Sequence, residues 1–180
     1  EGALRVTASN ALAAASSLEV TGTGTFEIDG VALNSLASLT LTGGLAGLET
    51  LAGRGTASYG GTVTMVGHAR METAGASDTL TLGGQIDGRT DVPTSAAPIL
   101  QKVGGGVLVL DGTGSLFYPQ ILAGTLRATS NGVLPNTETL VGPGATLDIA
   151  NTTQSIAHLS GGNAASRVLL GASGQLTVNQ

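Results

Sequence analysis

Gly2-Ala3-Leu4-Arg5-Val6-Thr7 reads like Gly124-Thr125-Leu126-Arg127-Ala128-Thr129, 124 − 2 = 122 residues later. The likeness continues. Ser9-Asn10-Ala11-Leu12 answers Asn131-Gly132-Val133-Leu134, and Phe26-Glu27-Ile28 answers Leu147-Asp148-Ile149 at 147 − 26 = 121. Leu36 and Leu39 answer Ile156 and Leu159 at 120. An offset that drifts by only two residues points to a duplicated structural unit whose turns changed length one residue at a time. The copies are 2–44 and 124–162. Self-similarity at so long a spacing is the mark of a repeat architecture.

Within the copies and between them the chain is written in short segments of period two, apolar residues alternating with small polar ones. Leu18-Glu19-Val20, Phe26-Glu27-Ile28, Leu39-Thr40-Leu41, Val63-Thr64-Met65, Leu80-Thr81-Leu82, Val107 to Leu110, Leu147-Asp148-Ile149 and Leu176-Thr177-Val178 are all of this kind. Each is too short for a stable helix and fits a strand half-buried against a core. Glycines such as Gly22, Gly30, Gly104 and Gly144 stand where turns need positive φ. Ala11 to Leu18 has better helix propensity, but its counterpart Val133 to Leu140 holds Pro135 and Asn136, so both read as loops. Tight hairpin dipeptides are nearly missing, which sets an antiparallel sandwich aside. The reading is all-β: one right-handed parallel β-helix over 1–180, with coils of roughly 20–25 residues, about seven to nine of them, and a rod of roughly 35–45 Å. Segments 44–61 and 88–98 break the ladder and read as longer loops. The second is the better candidate for an exposed, protease-sensitive loop.

Composition fits that architecture. The 180 residues include 29 Gly, no Cys and no Trp, with 2% aromatic, 41% apolar and 11% charged residues. A core built almost without rings must stack Leu, Val, Ile and Ala. The formal charge of −5, with Lys102 the only lysine, excludes the clustered cations that nucleic acid or an anionic membrane requires. Without Cys there is neither a disulfide framework nor a thiolate metal site. No apolar run approaches the roughly 20 residues of a membrane span. The chain begins at Glu1 without Met or a signal peptide, as a processed or excised piece would.

From Thr79 to Ala128 the text is TLTLGGQIDG, then ILQKVGGGVLVLDGTG, then ILAGTLRATSNGVLP. This resembles the passenger-associated transport repeat of bacterial autotransporters (type V secretion). The matching residues are Leu100, Lys102, Gly104, Gly106, Leu108, Leu110, Gly112, Ala123, Gly124, Thr125 and Leu126. The match covers about fifty residues directly, and Glu1 to Val6 looks like the tail of an earlier repeat. Gly114-Ser115-Leu116-Phe117-Tyr118-Pro119 departs from the family's Asn-x-Tyr-x-Gly turn. The resemblance implies an exported right-handed parallel β-helix at the bacterial cell surface. It further implies a signal peptide upstream, a translocator β-barrel downstream, and a stable region that assists folding during secretion.

Candidate chemistry is sparse. Glu27 and Asp29 share the outward parity of one strand, at a spacing that suits the two carboxyl groups of a glycosidase, and Asp148 is the counterpart of Glu27. Solubilising acids on a strand face explain them better. His68 and His158 lack metal-ligand spacing and read as surface or turn histidines. Gly104-Gly105-Gly106 lacks the Lys-Ser/Thr ending of a phosphate loop and reads as a tight coil turn. No catalytic, cofactor or metal residue is assigned, and no cofactor is expected. The leading expectation is a structural stalk that projects other domains. Its partners would be its own translocator barrel and neighbouring coils, with a host cell or a second copy as further candidates. An adhesive or ligand-binding face of the rod is the alternative, and a polysaccharide-cleaving β-helix the third.

Overall fold

A computed structural model of the chain describes residues 2–12, 17–34, 37–43, 48–89, 97–161 and 164–179. Among these there is no helix, and the strands pair in parallel. The chain visits three faces in turn. The first carries β1 (Ala3–Val6), β3 (Thr25–Asp29), β6 (Glu49–Arg54), β9 (Ala69–Glu72), β12 (Ile99–Val103), β15 (Tyr118–Ile121), β17 (Glu138–Val141) and β20 (His158–Gly161), hydrogen-bonded in that order. The second carries β4 (Ala32–Leu33), β7 (Thr56–Tyr59), β10 (Thr79–Leu82), β13 (Val107–Leu110), β16 (Thr125–Ala128), β18 (Thr146–Asp148) and β21 (Arg167–Leu169). On the third lie β2 (Ser17–Thr21), β5 (Ser38–Thr42), β8 (Thr62–Val66), β11 (Gln85–Arg89) and β14 (Thr113–Ser115), then, after a break, β19 (Thr153–Ile156) and β22 (Gln175–Val178).

One circuit of the three faces is a coil. About seven circuits make a β-solenoid, and at roughly 4.8 Å per coil the body is about 34 Å long. All eight period-two segments read from the sequence fall on strands, with Ile149 one residue beyond the end of β18. Coil length is less regular than expected. Val107 is level with Thr125, 125 − 107 = 18 residues on, whereas Arg70 is level with Gln101, 101 − 70 = 31 residues on.

Inward side chains stack from coil to coil. On the first face Leu4, Phe26, Leu51, Met71, Lys102, Ile121 and Val141 form one column. On the second, Ala57, Leu80, Leu108, Leu126, Leu147 and Val168 form another. Apart from the end positions Leu4 and Val168, these side chains are almost fully buried. Each buried aliphatic residue contributes roughly 1.5–3 kcal/mol, which is how the core stands on Leu, Val and Ile. Aromatic bulk enters at a prepared place: Phe117 is fully buried, and a Cβ on Gly114 would lie 3.0 Å from its Cε1.

Several expectations need correction. Segment 44–61 is not a loop. It holds β6 and β7 with a bend at Gly55, while 44–47 lie outside the described residues. Alternation is lost in β6 because its outward residues are covered too. Thr50 sits beside Arg70, and Ala52 lies between Glu27 and Glu72, so long charged side chains close over small ones. The loop reading of Ala11 to Leu18 and Val133 to Leu140 fails at the C-terminal ends, where Ser17 begins β2 and Glu138 begins β17. Residues 13–16 lie outside the described residues, as do Leu36 and Gly162 of the repeat copies. In segment 88–98, Gly88 and Arg89 belong to β11, and 90–96 lie outside the described residues.

The two repeat copies correspond in strand order and are rotated in space. β1 answers β16, β2 answers β17, β3 answers β18 and β5 answers β20. Every partner lies one face further round the coil. The ion pair is copied as well. Arg5 meets Glu27 at 3.0 Å and Arg127 meets Asp148 at 2.8 Å, each across neighbouring coils, the first pair on the first face and the second on the second.

The third face breaks at Asn131–Asn136, where Pro135 offers no N–H. Gln154 replaces the missing ladder. Its Oε1 accepts from the Leu134 N–H at 3.1 Å, and its Nε2 donates to the Ser130 carbonyl at 2.7 Å.

Candidate functional site

The carboxylates of the glycosidase reading come first. Glu27 and Asp29 do point outward, half-buried, from β3. Both are ion-paired. Glu27 is held between Arg5 at 3.0 Å and Arg54 at 3.0 Å, and Arg54 reaches on to Glu72 at 2.8 Å. Asp29 accepts from the Arg5 guanidinium at 3.1 Å. Asp148 is almost buried, paired to Arg127, and also accepts from the Ala150 N–H at 2.9 Å. These acids tie coil to coil along the outside of the rod.

Lys102, Gly104, Gly106, Ala123 and Gly124 meet at one corner, between the first and second faces. Lys102 is fully buried in the column between Met71 and Ile121. Its Nζ turns to the corner and donates to the carbonyls of Val103 at 2.9 Å, Gly104 at 2.7 Å and Ala123 at 3.0 Å. Burial pushes this ammonium down to about 8, and the three carbonyls supply the partners that a buried cation needs. Gly124 packs against the same turn at φ +67, where an added Cβ would lie 2.4 Å from the Gly106 carbonyl oxygen and 2.5 Å from that of Gly104. The Gly104-Gly105-Gly106 triplet is therefore a coil turn, as its lack of a phosphate-loop ending indicated.

Glu49 was not anticipated. It points inward from β6, fully buried, and neither carboxylate oxygen has a hydrogen-bond partner among the described residues. Burial raises its pKa, and its own backbone N–H opposes that only in part. The sequence signal was its parity, two residues before the inward Leu51. Tyr59 is a third buried titratable group of the core. Burial lifts its phenol to about 12, and its hydroxyl donates to the Thr62 carbonyl at 3.3 Å.

The outer side of the first face carries a groove of about 360 Å³ where coils five to seven pass. Ile99, Pro119 and Leu140 give it apolar walls, and Tyr118, Gln120, Glu138 and His68 contribute polar groups. His68 thus has a place that its spacing did not disclose. Its Nδ1 accepts from the Ile99 N–H at 3.0 Å, which leaves the ring proton on Nε2. Glu138 is exposed, and its Oε1 accepts from the Ser160 hydroxyl at 3.0 Å. His158 stands level with Glu138 on the next coil and belongs to the same outer column. Among the described residues no three His, Asp or Glu side chains gather as a metal site would require.

The fold and these sites define a parallel β-solenoid with a charged outer seam, a lysine-filled corner and a surface groove. No protein-family model, curated protein or solved structure matches the chain.

Proposed function

We propose that this chain is a structural stalk segment of an autotransporter passenger, exported across the bacterial envelope and displayed at the cell surface. The observation that carries this reading is the corner at Lys102. Lys102, Gly104, Gly106, Ala123 and Gly124 are five of the eleven residues that resemble the transport repeat, and these five meet in one place, with a buried ammonium fastening two successive coils. A spacing shared with a family gains weight when its residues have a common physical task. The uninterrupted inward columns support the same reading, because a rod whose coils each bury the next can propagate order along its axis and hold other domains away from a surface. Its partners are then the neighbouring coils and the translocator β-barrel of the same protein, with no role for nucleic acid. The segment works without catalysis.

The reading frame around these residues is the direct test. An export signal upstream and a membrane β-barrel downstream are expected, and a frame with neither overturns the proposal. In the parent protein, Gly124→Val should lower surface display while the barrel still inserts. Unchanged display would count against a folding role for the corner.

A further inference from the structure

We infer that the groove on the first face binds a small organic cation, an ammonium group carried on an apolar body. The inference goes beyond the stalk reading and does not depend on it. It starts from register. Ile99 is level with Tyr118. Gln120 is level with Leu140, so the same 20-residue step places Tyr118 level with Glu138. An aromatic ring and a carboxylate therefore stand side by side on adjacent outward strands, about 4.8 Å apart along the rod. A second outward column, Gln120 and Leu140, runs beside them.

Three further observations select the ligand. The first concerns the ring. Phe26, Tyr59 and Phe117 are fully buried, whereas Tyr118 is only partly so. The one aromatic side chain of the described residues that reaches solvent does so in this groove. The second is charge. Glu138 is the one acidic residue among the described lining residues, which include no Lys or Arg, and the His68 Nδ1 is taken up in accepting from the Ile99 N–H. The groove is thus complementary to a cation, with no basic side chain lining it to compete. The third is size. About 360 Å³ lies at the small end of ligand pockets. A carboxylate beside an exposed ring is the arrangement that holds alkylammonium ions, through ion pairing and attraction to the negative face of the ring. Ile99, Pro119 and Leu140 receive the apolar part. The Ser160 hydroxyl fixes the Glu138 carboxylate from the side of the next coil.

Choline titrated into the 180-residue chain is the test, with 3,3-dimethylbutan-1-ol as its neutral isostere. There is no Trp and only one other tyrosine, the buried Tyr59, so tyrosine emission reports on Tyr118. Saturable quenching by choline is expected, with a dissociation constant on the order of 1 mM. The isostere should bind at least ~10-fold more weakly, and 0.5 M sodium chloride should weaken choline several-fold. Glu138→Gln, which keeps an acceptor for Ser160 at an exposed position, should weaken choline ~10-fold with an unchanged melting temperature. Tyr118→Leu, followed by NMR shifts of the choline methyl groups, should do the same. Equal binding of the isostere, salt-independent binding by the unaltered chain, or no saturable signal up to about 100 mM choline would each overturn the inference. The isostere and salt arms need no variant, so the outcome stands even where a substitution disturbs folding.

Discussion

Lys102, Tyr59 and Glu49 are buried among aliphatic side chains, and each makes stability depend on pH in a way that can be signed. Lys102 is held down at about 8 against an ordinary 10.5. Below pH 8 it is charged in both folded and unfolded chains, and the cost of burying the cation is fully present. Between pH 8 and 10.5 the unfolded chain keeps a proton that the folded chain has lost, so stability rises with pH. Tyr59 works in the opposite sense, lifted to about 12 from 10.0. Above pH 10 the unfolded chain loses a proton that the folded chain keeps, and stability falls. Denaturant unfolding should therefore show a gain of about 2 kcal/mol from pH 8 to 10, then a decline. Lys102→Met should flatten the rise, and a wild-type profile level across that window would refute the account. The raised carboxyl of Glu49 gives stability that is present at low pH and lost as pH climbs past the ordinary carboxylate range. Glu49→Gln should accordingly stabilise the chain at pH 7 by about 1–2 kcal/mol. That advantage should shrink towards zero below pH 4, as read by parallel urea titrations.

At the scale of strands, position along the rod decides what a side chain is worth. Leu108 in β13 has Leu80 on one side and Leu126 on the other and is fully buried. Leu176 in β22 has a neighbour on one side only, level with Gln154, and is partly exposed. Leu108→Ala should cost about 3 kcal/mol and Leu176→Ala less than about 1 kcal/mol. Comparable losses at both positions would contradict a core made of coil-to-coil columns. Strand identity was legible because a half-buried strand writes its parity into the sequence, as Phe26-Glu27-Ile28 and Leu80-Thr81-Leu82 do. β6 was not legible, because Thr50 and Ala52 are covered by side chains that arrive from other coils and erase the alternation. The groove stayed hidden for a related reason. Ile99, Tyr118 and Glu138 share a column through steps of 19 and 20 residues, while other coils take 18 to 31, so no fixed period brings the three together. The lone lysine did leave a signal. Two residues after Leu100, it has inward parity in a chain with no other lysine.

For the molecule as a whole, the ends set the behaviour. Leu4 is 44% exposed at one end, and Leu169 and Leu170 are 49% and 41% exposed at the other. Among the described residues, the outer strands at both ends, β1, β2 and β4 at one and β20 to β22 at the other, have a ladder partner on one side only. Because all pairing is parallel, the edge left open at one end has the polarity that the other accepts, and association would be head to tail and open-ended. Light scattering of this segment should show mass rising with concentration. Leu4→Asp together with Leu169→Asp should suppress the rise, and a monodisperse monomer of the unaltered chain at every concentration would rule the stacking out. The rotation between the two repeat copies has another consequence. A unit copied after five coils and one face carries its surface features to a different azimuth, as the salt link at Arg5 and its twin at Arg127 illustrate. Growth by fractional turns extends the rod and, in the same step, spreads whatever a copied unit displays around its circumference.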